Sequence, residues 1–151
     1  ISPADGRVIE VAEVEEGRYL KKRMRKIVIF LSIFNVHVNR IPCSGRVRAI
    51  RYNPGKFLIG FHPKASMDNE QNAVILDCVG GQEILFIQIA GLIARRIICY
   101  LTEGDEVVRG RRFGLIRFGS RMDIYLPLSA KTSVQVGDRV KGGESVLGRM
   151  L

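Results

Sequence analysis

The 151-residue sequence predicts a mainly β fold, a compact barrel or sandwich of short strands with few short helices. Three observations carry that prediction. Alternating and β-branched apolar runs recur along the whole chain, clusters of Gly, Pro, Asn and Asp separate them, and a Gly-Asp pattern occurs twice near the C-terminus.

The elements follow in order. "ADG" at 4–6 is a turn signal, and "GRVIEVAEV" behind it alternates with the period of a half-buried strand. "RKIVIFLSIFNVHV" (25–38) is rich in Val, Ile and Phe, whose branched or flat side chains suit a pleated surface. "PCSG" (42–45) turns the chain into "RVRAIRY", and "NPG" (53–55) turns it again ahead of "NAVILDCV" (72–79). After "VGGQ" comes "QEILFIQIAGLIARRIICYL" (82–101), whose Ala, Leu and Ile suit helix or strand; strand is preferred, with Gly91 as a bulge or bend.

"EGDEVVRGRRFGLI" (103–116) and "VGDRVKGGESVLG" (136–148) share the form G-D-x-V-x-x-G. Repeated Gly-Asp turns between short strands suit a barrel-sandwich hybrid of the lipoyl- and biotinyl-carrier kind. A carrier displays a lysine at a hairpin tip, and neither Lys131 nor Lys141 has that setting, so the echo reports architecture.

Length and 46% hydrophobic content allow one core, so residues 1–151 are expected to form a single domain. The chain begins at Ile1 without a methionine, and an N-terminal segment is expected to be missing. Its longest apolar runs are too short to span a bilayer as a helix. Cys43, Cys78 and Cys99 are odd in number and lack metal-ligand spacing, which reads as free thiols; with two histidines, His37 and His62, no metal site is expected. Twenty-four Lys and Arg against fifteen Asp and Glu give a net charge of +9 and an anionic partner. "KKRMRK" (21–26) is either a solvated loop or a phosphate contact. With no Trp and no aromatic pair beside that run, nucleic acid is the runner-up partner class.

Gly119-Ser120, inside "RFGSRMD", breaks an otherwise strand-like context. A serine hydroxyl lies close enough to the preceding carbonyl to attack it, given a strained backbone and a base, and glycine removes the obstructing side chain. Most Gly-Ser pairs are only turns.

Six segments change that balance: "SPADG" (2–6), "FNVHVNRIPCSG" (34–45), "YNPGKF" (52–57), "KASMDNEQN" (64–72), "QIAGLIARRI" (88–97) and "RFGSRMDIYLP" (117–127). Together, in this order and across nearly the whole chain, they closely resemble the pyruvoyl-dependent phosphatidylserine decarboxylases of the short prokaryotic form. The resemblance implies that Ser120 attacks the Gly119 carbonyl and that β-elimination and hydrolysis then leave a pyruvoyl group on Ser120. The products would be a large chain, 1–119, and a small chain, 120–151. It further implies a Schiff base between that covalent cofactor and phosphatidylserine, with release of CO2 and phosphatidylethanolamine. His37 would transfer protons or contact the phosphate, and Asp5 would orient a histidine base or else serve only an Asp-Gly turn.

The longer relatives carry a second histidine where this chain has Arg40, so the cleavage base is open among His37, His62 and a group such as Asp123. Asn35 replaces an aspartate of many relatives. The expected partners are phosphatidylserine, an anionic membrane surface on the cytoplasmic side, where the protein would be peripheral, and the two chains themselves; no nucleic acid is expected and a homodimer is left open. "KKRMRK", Arg95, Arg96, Arg111 and Arg112 are the docking candidates. Two other readings are a non-catalytic basic binding module on this scaffold and a decarboxylase of another serine-bearing lipid.

Overall fold

In the computed structural model, which describes residues 1–31, 38–55, 69–91, 97–116 and 119–150, the alternating runs pair into three antiparallel sheets. The strands are β1 (Gly6–Glu16), β2 (Lys22–Leu31), β3 (Val38–Arg40), β4 (Gly45–Asn53), β5 (Gln71–Cys78), β6 (Glu83–Ile89) and β7 (Ile97–Cys99). They continue as β8 (Glu106–Val107), β9 (Arg112–Ile116), β10 (Ser120–Leu126), β11 (Lys131–Thr132), β12 (Arg139–Val140) and β13 (Gly148–Arg149). The main sheet runs β12-β1-β2-β10-β6-β5-β4-β8; β3-β9-β7 and β11-β13 are the smaller ones. Mainly β is therefore correct, but the few short helices expected are not found among the described residues. The run at 82–101 yields two strands, β6 and β7, and the chain leaves the sheet at Ala90-Gly91, where a bend was expected.

Strand periodicity sorts the side chains onto two faces. Val8, Ile27, Ile29, Leu31, Val74, Leu76, Ile84, Phe86, Met122 and Ile124 build the larger core, which Phe113 and Ile116 of β9 cover from the small sheet. Phe86 and Phe113 meet edge to face, ring centroids 5.3 Å apart. Met24, Ala73, Ile75, Leu85, Ile87, Ile89 and Tyr125 form a second cluster on the opposite face. Tyr19 and Leu20, from the β1–β2 turn, pack on that cluster. Glu16 fixes the turn, because its carboxylate accepts from the amides of Arg18 (3.0 Å), Tyr19 (2.8 Å) and Leu20 (2.5 Å).

The Gly-Asp echo has a structural meaning. Its first copy supplies β8, which pairs with β4 at one edge of the main sheet; its second supplies β12, which pairs with β1 at the other. The Asp105 carboxylate accepts from Thr102 N–H at 2.8 Å, and the Asp138 carboxylate from Gln135 N–H at 2.9 Å. Gly104 and Gly137 both have positive φ, 92° and 99°. Val47 N–H donates to Asp105 O and Val8 N–H to Asp138 O, each at 2.9 Å, and β4 and β1, the strands next to each edge, have their bulge just after that valine. The molecule thus uses one edge-closing device twice, which blunts both open edges.

Candidate active site

Gly119 and Ser120 lie where the chain enters β10, in the middle of the main sheet. Gly119 has φ 79°, a left-handed conformation that costs a residue with a side chain strain, and its N–H donates to Leu31 O at 2.7 Å. Ser120 is fully buried and pairs with Leu31 of β2. Its side chain shares a face with Met122 and Ile124, toward the larger core.

Arg121 and Asp123 alternate to the opposite face. Arg121 Nε and Nη2 donate to Asp123 Oδ1 and Oδ2 at 2.8 and 3.0 Å, both side chains are buried, and Lys26 Nζ lies 3.9 Å from Asp123 Oδ2. Burial works against the Arg121 charge, but the Asp123 carboxylate outweighs it and raises the guanidinium pKa. Burial, then the Asp123 charge, also raises the Tyr125 pKa. Asp123 as cleavage base is therefore corrected: it is locked in an ion pair on the face turned away from the Ser120 side chain.

Asp5 stands just before β1, at the end of the sheet where β10 begins, with β2 between. Its Oδ1 accepts from Gly142 N–H at 2.6 Å. Ser44, the equivalent residue before β4, accepts from Arg109 N–H at 3.0 Å, so capping the echo loop is one definite role of Asp5. Arg40 donates from Nη1 to Gly110 O at 2.8 Å and packs where Gly143 has no Cβ. His37, His62, Asn35, Arg95 and Arg96 lie outside the described residues.

Beside Ser120 the next strand contributes Ala90, also fully buried, whose N–H donates to Glu70 O at 2.9 Å. Leu31, Ser120, Ala90 and Glu70 thus form one row across four strands at the end of the sheet. Asn69 Nδ2 donates to Ala90 O at 2.5 Å and the Tyr52 hydroxyl to Glu70 Oε2, which pushes the phenol pKa up to about 12. Two residues deeper, Asn72 Nδ2 donates to Gln88 Oε1 at 3.1 Å, and Gln88 Nε2 donates to Asn39 Oδ1 at 2.9 Å and to Ile98 O at 3.1 Å. Gly114 permits this bridge between the sheets, since a Cβ there would lie 2.9 Å from Gln88 Nε2 and 2.1 Å from Ile98 O. Among the described residues, Asn39 Nδ2 and Glu70 Oε1 are buried atoms without a hydrogen-bond partner.

Residues 1–148 match the phosphatidylserine decarboxylase family. This chain belongs to that family. It is 52% identical over 98% of its length to a phosphatidylserine decarboxylase proenzyme of Syntrophus aciditrophicus, covering 70% of that protein. The corresponding proenzyme of Magnetococcus marinus is 46% identical over 99% of the chain, with 69% of that protein covered. No solved structure matches the chain.

Sequence reasoning found the Gly-Ser junction but passed over Glu70, Tyr52 and the Asn72–Gln88–Asn39 bridge. A signal was present: "DNEQN" puts five polar residues at the start of an otherwise apolar strand, and Gln88 interrupts "ILFIQIA". Among the described residues, no group of three or more His, Cys, Asp and Glu could hold a metal ion. The three cysteines are free thiols. Cys78 donates to Cys43 and lowers its pKa to about 7, while Cys78 itself is raised; the pair lies with Pro42 and Val79, at the opposite end of β5 from Gln71.

Proposed function

We propose that the chain is a proenzyme that cuts itself between Gly119 and Ser120, converts Ser120 to a pyruvoyl group, and with it decarboxylates phosphatidylserine to phosphatidylethanolamine. The observation that carries the reading is the junction itself: a left-handed glycine followed by a buried serine at the head of a central strand. In the cut, Ser120 Oγ bonds to the Gly119 carbonyl carbon and the C–N bond breaks, its nitrogen receiving the hydroxyl proton. Elimination across Cα–Cβ of Ser120 then releases the Gly119 carboxylate, and water replaces the nitrogen, which leaves as ammonia.

The surroundings fit the product. A pyruvoyl group is smaller than the serine it replaces and has no N–H to satisfy. β10 stays in place without its covalent link because β2 and β6 hydrogen-bond it along both edges. Once formed, the ketone supplies the electron sink that loss of CO2 from an amino acid requires. His37 is the proposed proton carrier. Asp5 is its proposed orienting acid through Oδ2, since Oδ1 is committed to Gly142.

The working place we propose is an anionic membrane surface on the cytoplasmic side, with the protein peripheral to it. The test is the intact mass under denaturing conditions. Two fragments meeting at 119 and 120 are expected, the smaller one lighter by one ammonia than a serine-started peptide, and Ser120→Ala should give one uncut chain. A wild-type chain of full mass would sink the proposal.

A further inference from the structure

Glu70 is 5% exposed, and a buried carboxylate ordinarily has partners for both oxygens. Here Oε2 takes the Tyr52 hydroxyl, and Oε1 has no partner among the described residues. The arrangement points Glu70 to the serine end of the sheet. Tyr52 stands two residues from Ile50, which packs on the larger core, so Tyr52 and the carboxylate it holds belong to the face that Ser120 occupies. In the row Ser120–Ala90–Glu70 the residue between them is an alanine, whose side chain is a single methyl group, and all three residues are buried.

The spacing decides what Glu70 can do. Two strand separations, about 10 Å, lie between the Ser120 and Glu70 backbones. That is wide for a direct hydrogen bond between a hydroxyl and a carboxylate, and suited to one small cationic group held between them. An amine is largely protonated at neutral pH, and an unpaired carboxylate oxygen inside a protein is the natural acceptor for it.

We propose that Glu70 Oε1 is the receptor for the ammonium group of the phospholipid headgroup and holds that group beside residue 120. Tyr52 is the positioning residue, its raised pKa keeping the phenol a donor that fixes Oε2 and leaves Oε1 for the ligand. This inference rests on the proposed function for the identity of the headgroup.

The experiment uses the cut protein and two soluble headgroups, glycerophosphoethanolamine, which bears the ammonium and has no carboxylate to lose, and glycerophosphoglycerol, which bears no amine. Calorimetry should show wild type binding the first more tightly than the second. Glu70→Gln keeps the shape and the Tyr52 contact; it should still be cut, bind the amine headgroup at least tenfold more weakly, and bind the glycerol headgroup as wild type does. Three results each overturn the assignment: equal binding of the two headgroups by wild type, an unchanged or equal loss for both in the variant, or a Glu70→Gln chain that stays uncut. Failure of wild type to cut would refute the proposed function instead.

Discussion

At residue 119 the backbone, more than the side-chain space, dictates glycine. A Cβ there would meet nothing within 4 Å, yet φ is 79°. Alanine would carry a left-handed conformation at about 1–2 kcal/mol, with no steric term added. Gly119→Ala, made in an uncut Ser120→Ala background and followed by urea unfolding, should therefore lose about 1 kcal/mol. A neutral result would mean that the junction relaxes to another backbone conformation. The Gly-Ser pair was legible in the sequence because its chemistry resides in two adjacent residues. Glu70 was not, because its interest lies in an oxygen without a partner among the described residues, and partnership is a property of the fold.

β10 shows how an element arranges chemistry by alternation alone. Ser120, Met122 and Ile124 face the larger core; Arg121, Asp123 and Tyr125 face the other side, where the Arg121–Asp123 pair is buried with Lys26 close by. Taking two charges out of water is costly, and bidentate geometry offsets that cost only while both partners are present. Asp123→Asn in the same uncut background should then cost about 3–5 kcal/mol, read from the denaturant midpoint, because the guanidinium is left buried and unpaired. A loss below about 1 kcal/mol would show that water reaches the pair. Strand positions were readable from period-2 patterning, and the Gly-Asp echo was readable as architecture. Its placement at the two edges of one sheet was not, since pairing between residues far apart in the chain leaves no local trace. "KKRMRK" misled for a related reason: Lys22–Lys26 are strand residues, and Lys22, Arg23, Arg25 and Lys26 have carboxylates of Glu83, Glu13 and Glu10 within ion-pair distance.

For the molecule as a whole, the net charge of +9 matters by where it is left unbalanced. The duplicated edge device makes the comparison internal. At one edge Arg46 of β4 faces Glu106 of β8, 3.1 Å apart; at the other, Arg7 of β1 faces Arg139 of β12, and both are exposed. Like charges directly opposite on paired strands repel, so the second edge is at its most stable with an anion beside it. It is also the edge nearer Asp5 and the Ser120 end of the sheet. Each cation near an anionic leaflet contributes about 1 kcal/mol of attraction, so Arg7→Gln with Arg139→Gln should weaken binding to phosphatidylserine-containing vesicles by about 2 kcal/mol, roughly 30-fold. Lys22→Gln with Arg23→Gln removes two charges already facing carboxylates and should change vesicle binding far less. Co-sedimentation at low and high salt measures both, and the Arg7–Arg139 effect should fade at high salt as exposed charges are screened. If the two double variants lose affinity equally, total charge guides the protein to the membrane; if only the edge pair matters, the fold sets its orientation there as well.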